Sequence, residues 1–272
     1  MSGIIRIAVL IVALVIASAW AYTQYSQRSV EGTSGLYSST TLGAPSRKID
    51  VLFIGDSYVF VDNLPKMLTD VASSDPSNTV EIETQSVTRG GTPLSGLLAA
   101  GDATNMINAR HWDYVVLQEQ STWYLDEDQV DKTFDAAASF AHVIRAVGAA
   151  PVIFMTWIRE PGSQWYQPPY IAEIQSPEHM QTLLDNATTL LGTSIDAPVV
   201  LVGDAWASVL KNDRALSLYQ SDGSHPTPAG TYLAALMFYH FLTHNQVDQV
   251  AYLPDGVSPA DNAYLRQVVD GY

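Results

Sequence analysis

From Lys48 onward the chain switches repeatedly between short apolar runs and longer stretches whose apolar positions recur three and four residues apart. Residues 50–54 (DVLFI), 113–117 (DYVVL), 151–155 (PVIFM) and 198–202 (PVVLV) are continuous apolar runs, as expected of strands buried on both faces. Residues 80–87 alternate apolar with polar and predict a further strand. The intervening pattern predicts helices over 63–73, 93–109, 129–147, 177–191 and 228–244, with a short one at 260–269. In the first of these, Leu64, Met67, Leu68 and Val71 share one face. Five strands separated by helices predict an α/β chain folded as a three-layer α/β/α sandwich with a five-stranded, mainly parallel sheet, flavodoxin-like in outline. No internal repeat or second domain boundary interrupts this alternation.

The first 47 residues follow a different pattern. A short positive start (MSGIIR) precedes an uncharged apolar run over 7–21, shorter than the roughly 20 residues of a membrane-spanning helix. Ala17-Ser18-Ala19 and Ala19-Trp20-Ala21 each offer the small-x-small pattern of a signal-peptidase site. Residues 1–21 therefore read as a signal peptide or as a retained signal anchor, which would tether the protein to a membrane. Residues 22–47, rich in Ser, Thr, Gly and Tyr, read as a flexible tether, and 48–272 as the folded body. Either fate of the leader predicts an extracytoplasmic protein, secreted or periplasmic.

Composition narrows the functional classes. With 28 acidic and 13 basic residues the net charge is −15, which disfavours a nucleic-acid partner. A hydrophobic share of 47% beside 15% charged residues excludes disorder for the bulk of the chain. The absence of cysteine excludes disulfides, thiolate catalysis, cysteine-ligated metal and a lipoprotein anchor.

In parallel sheets the site lies beyond the carboxyl ends of the strands. There the sequence places Gly55-Asp56-Ser57, Arg89-Gly90-Gly91-Thr92, Gln118-Glu119-Gln120-Ser121 and Thr156-Trp157, with Asp222-Gly223-Ser224-His225-Pro226 nearer the C-terminus. A serine, a glycine pair, side-chain amides and an Asp-x-x-His are the parts of a serine esterase: hydroxyl, base, orienting carboxylate and oxyanion donors. No Gly-x-Ser-x-Gly elbow is present, which argues against an α/β-hydrolase.

This set resembles the SGNH (GDSL-type) hydrolase superfamily from about Ile49 to the closing helix. The resemblance implies that Ser57 is the nucleophile and that His225 is the base, oriented by Asp222. It implies an oxyanion hole from the backbone of Ser57 and of Gly90, with Gly91 as the alternative one residue on. The family's Gly-x-Asn-Asp block is replaced by LQEQS, which puts Gln120 at the Asn position, with Gln118 as the alternative. No cofactor is implied. Glu119 has no place in that mechanism and reads as structural. His240 and His244 have the spacing of a helical metal pair but lack a third ligand, so they read as helix-end histidines and no metal is expected. Aromatic residues crowd the loops leaving the same sheet edge: Trp123 and Tyr124, then Trp157, Trp165, Tyr166 and Tyr170. Trp123, Trp157, Trp165 and Tyr166 read as substrate-binding residues suited to sugar rings, with packing residues or a hydrophobic acyl slot as the alternatives. The expected activity is an exported serine esterase acting on small-molecule or polysaccharide esters, acetyl esters first. An extracytoplasmic O-acetyltransferase and a non-catalytic carbohydrate-binding protein are the alternatives.

Overall fold

The computed structural model describes residues 47–167, 174, 176–212 and 215–272. The leader, nearly all of the tether and Tyr170 lie outside the described residues. Arg47, assigned to the tether, is instead the first residue of strand β1 (Arg47–Gly55).

Four further strands follow: β2 (Val80–Thr88), β3 (Tyr114–Leu117), β4 (Ala150–Phe154) and β5 (Val199–Val200). Their order is β2-β1-β3-β4-β5 and every pairing is parallel. All five carboxyl ends therefore share one edge. The chain steps from β1 out to β2 and returns to β3 on the other side of β1, so the switch point of the sheet lies between β1 and β3.

The two-residue period of β1 decides what each face meets. Ile49, Val51 and Phe53 enter a core with helices α2 (Leu64–Ser74), α7 (Val202–Leu210), α8 (Pro228–Thr243) and α9 (Pro259–Val269). Leu52 and Ile54 enter a second core on the opposite face. The helices there are α3 (Leu94–Ala100), α4 (Asp102–Ala109), α5 (Glu127–Ala146) and α6 (Pro177–Ser194). Helix α8 is buried almost all round, and Phe238 on it meets Phe53 and Phe154 edge-on, at centroid distances of 5.1 and 5.0 Å.

The elements depart from the sequence pattern in three places. The helix expected over 93–109 is two helices, because Gly101 adopts φ +83° and caps α3. The strand expected over 198–202 keeps only Val199 and Val200, and Val202 already belongs to α7. The apolar run passes without a break from strand into helix, so its periodicity does not mark the change. Gly203 permits it: a Cβ there would stand 2.3 Å from the Thr156 carbonyl oxygen. Finally, a single helical turn α1 (Ser57–Phe60) follows β1 directly. Among the described residues no helix is long and apolar enough to cross a membrane.

Candidate active site

Ser57 opens α1 at the carboxyl end of β1, half-buried. Asp56 caps the turn through its side chain, which accepts from the Tyr58 amide at 3.0 Å. The Asp56 amide in turn donates to Gln118 Oε1 at 2.7 Å. Gly55 makes this approach possible, since a Cβ there would lie 2.3 Å from Gln118 Oε1. Burial pushes the Asp56 carboxyl up, against the hydrogen bonds from Tyr58 and Gln118 and the charge of Arg159. The turn is thereby fixed to the end of β3 before any substrate arrives.

His225 reaches Ser57 from a loop 168 residues away, its Nε2 standing 2.9 Å from Ser57 Oγ. Its Nδ1 lies 2.5 Å from Asp222 Oδ2. Asp222 Oδ1 accepts from the amides of Ser224 and His225, each at 2.9 Å, so one carboxylate holds both the ring and its backbone. Burial pulls the Asp222 carboxyl upward, but the hydrogen bonds from the His225 ring and from these two amides outweigh it and hold the group below the usual range. The loop is closed by the Tyr219–Pro226 bridge and by the Gln220 amide donating to the His225 carbonyl at 2.8 Å. Tyr58 supports the imidazole edge-on, with ring centroids 5.8 Å apart.

Among the described residues the amides of Ser57, Gly90 and Gly91 have no hydrogen-bond acceptor. The Arg89–Thr92 turn places Gly91 at φ +61°, where a side chain would be strained. The Arg89 amide donates to the Gly55 carbonyl at 3.1 Å and so ties this turn to the serine turn. Gln120 lines the same cleft. Its Oε1 accepts from the Thr122 amide and hydroxyl at 2.9 and 2.7 Å, which leaves its NH2 as the end that can donate. Gln118 is corrected: it is fully buried, accepts from Asp56 and donates to the Glu119 carbonyl at 2.7 Å, so its amide faces the interior. Glu119 is structural, as expected. It accepts from the Leu94 and Gln120 amides at 3.0 and 2.7 Å and from the Thr133 hydroxyl at 2.8 Å.

The four expected substrate-binding aromatics separate. Trp165 lines the cleft beside Ser57 and His225, and its indole N–H donates to the Asp222 carbonyl at 3.0 Å. Trp157 is fully buried, stacked between Tyr58 and Trp206 at centroid distances of 4.5 and 3.9 Å. Its N–H holds the Ser224 carbonyl at 3.1 Å, so it braces the serine and histidine loops and offers a ligand no surface. Tyr166 packs into the second core and donates to the Arg159 carbonyl at 2.8 Å. Trp123 sits in a turn outside the cleft lining. Sequence reasoning missed Tyr58, Ser121, Arg159 and Ser224, all of which line the cleft.

The cleft measures about 370 Å³. A larger groove of about 600 Å³ between α5 and the end of α6 contains no paired nucleophile and base. His240 Nδ1 is bonded to the Asn245 carbonyl at 2.6 Å, and His244 is the left-handed cap of α8.

No family model matches the chain, and no curated protein matches its sequence. Solved structures do. A DUF4886 family protein from Bacteroides uniformis superposes with a TM-score of 0.69 at 16% identity, over 82% of this chain and 94% of that one. A protein from Slackia heliotrinireducens assigned to the SGNH hydrolases gives 0.57 at 26% identity, over 72% and 99%. An acetylxylan esterase from Geobacillus stearothermophilus gives 0.51 at 16% identity, over 79% and 98%. The chain has the SGNH hydrolase fold, and its structural neighbours include SGNH hydrolases and esterases.

Proposed function

We propose that this protein is an exported serine esterase that removes small acyl groups, acetyl foremost, from an alcohol that includes sugars. The observation that carries the reading is the continuous Ser57–His225–Asp222 contact, 2.9 Å and then 2.5 Å. Ser57 Oγ attacks the ester carbonyl carbon while its proton passes to His225 Nε2. Asp222 holds Nδ1 and stabilises the imidazolium. The amides of Ser57 and Gly90 and the NH2 of Gln120 receive the oxyanion, with Gly91 setting the turn that presents them. The tetrahedral intermediate collapses, and the alcohol leaves with the proton from His225. Water, deprotonated by the same ring, then releases the acid and restores Ser57.

A cleft of about 370 Å³ lies at the small end of the range for ligand sites, which favours a short acyl group. Trp165 at its wall and Phe60, 46% exposed near Gly90, offer apolar faces to a sugar ring. The Geobacillus neighbour is an acetylxylan esterase, which supports the acetyl reading. The apolar leader with its small-x-small sites supports export. The test is a p-nitrophenyl ester chain-length series beside acetylated xylo-oligosaccharides, with Ser57→Ala as control. Acetate should be the best acyl group and the control should be inactive. Turnover that survives in the control removes the reading.

A further inference from the structure

Arg159 lines the catalytic cleft, yet it is 4% exposed and forms no ion pair among the described residues. Its Nη1 donates to the Tyr58 and Ser224 hydroxyls, both neutral. Burial pushes the Tyr58 phenol up, so it remains protonated and supplies no counter-charge. Asp56 feels the guanidinium but lies beyond ion-pair distance. Nε is buried without a hydrogen-bond partner among the described residues. Trp165 covers the guanidinium at 4.7 Å from its ring centroid, and the Tyr58 ring lies 5.8 Å away. A buried guanidinium normally has a carboxylate or phosphate beside it, because an unpaired buried charge is costly. Here the guanidinium belongs to a residue that lines the cleft holding Ser57.

We propose that Arg159 binds a carboxylate of the substrate, so that the enzyme prefers esters bearing a carboxylate close to the scissile bond. The inference rests on the esterase reading and adds the substrate's charge to it. A guanidinium that lines the cleft without a counter-charge suits a carboxylate bound through charge-assisted hydrogen bonds. Tyr58 and Ser224 fix the fork in position, and Trp165 shields it from water, which strengthens the attraction. The carboxylate has two sources, the alcohol side, as in an acetylated uronic acid, or the acyl side, as in a hemisuccinate.

Two matched ester pairs separate these sources: acetylated glucuronic acid against acetylated glucose, and mono-p-nitrophenyl succinate against p-nitrophenyl butyrate. In the wild type, kcat/KM for the charged member of one pair should exceed that of its neutral partner by about 10- to 100-fold, the range for a charge-assisted contact. Arg159→Gln should bring that ratio to about one, and Arg159→Lys should keep part of it. A wild-type ratio of one or below in both pairs overturns the proposal, as does a ratio that survives in Arg159→Gln. If Arg159→Gln does not fold by circular dichroism, the wild-type ratio and Arg159→Lys decide. If no ester is turned over, the esterase reading fails separately, and the tryptophan fluorescence lost in Trp165→Phe tests the site alone. Quenching by sodium glucuronate or sodium succinate but not by glucose, weakened in Arg159→Lys, then upholds it, and equal responses overturn it.

Discussion

Gln118 and Gln120 stand two residues apart with the same amide, yet they do different work because β3 ends between the core and the cleft. Gln118 is sealed under Gly55 and fills the hydrogen-bonding needs of Asp56 and Glu119, while Gln120 lines the open site. If Gln120 serves the oxyanion, Gln120→Ala should lower kcat by roughly 100-fold with KM and thermal midpoint near wild type. Gln118→Ala should instead lower stability by about 1–3 kcal/mol, since it strands the buried Asp56 amide. Steady-state kinetics and urea melts of both variants read the difference, and a stable, slow Gln118→Ala would reverse the assignment. The sequence alone left this choice open, because both residues carry the same chemistry and only the end of the strand distinguishes them. Ser57, Asp222 and His225 were legible because each stands in a motif beside a predicted element. Arg159 was not, since its importance lies in the partners it lacks.

Two elements that carry the glycine turn and the Gln120 amide meet at one buried carboxylate. Glu119 joins the first turn of α3 to the loop after β3 and to Thr133 on α5. Burial pushes its carboxyl up, against the Thr133 hydroxyl and the two amides that favour the ion. A carboxyl raised in the folded state costs stability as pH rises from its unfolded value, 4.5, toward its folded one. Glu119→Gln keeps an acceptor for both amides and gives Thr133 a donor, so it should fold normally and should not share that loss. Wild-type stability minus that of Glu119→Gln should therefore fall across this window in urea melts at stepped pH. A difference that rises there would show an ion favoured by the fold. Glu119→Ala leaves the buried Leu94 amide and Thr133 hydroxyl unmet and should cost about 2–4 kcal/mol. At this scale periodicity revealed most helices and all five strands, but not α1, α7 or the break at Gly101. Residues 198–202 flow as one apolar run into a helix, and the 93–109 pattern continues across a glycine whose φ the pattern does not express.

The full chain carries a net charge of −15, and ion pairs such as Lys48–Glu83 and Lys66–Asp70 lie at its surface. Such pairs contribute little, about 0–1 kcal/mol each, whereas uniform charge repels itself. Raising salt from about 0.01 to about 0.15 M shortens the screening length from about 30 to about 8 Å. The thermal midpoint should rise over that range, and a fall would mean that attraction, not repulsion, dominates the surface. On one face of the sheet, Phe238 of α8 packs edge-on against Phe53 and Phe154. Phe238→Ala should cost about 3–5 kcal/mol by chemical denaturation, because it empties the space between Phe53 and Phe154. A loss below about 1 kcal/mol would mean that α8 settles freely onto the sheet.

If Ser57 is the activated hydroxyl, covalent capture reveals it without knowledge of the substrate. The folded protein is treated with a fluorophosphonate, digested, and mapped by mass spectrometry. One adduct on the Ser57 peptide is expected, absent in Ser57→Ala and strongly reduced in His225→Ala. An adduct on a different residue, or equal labelling of Ser57 when His225 is removed, would contradict it.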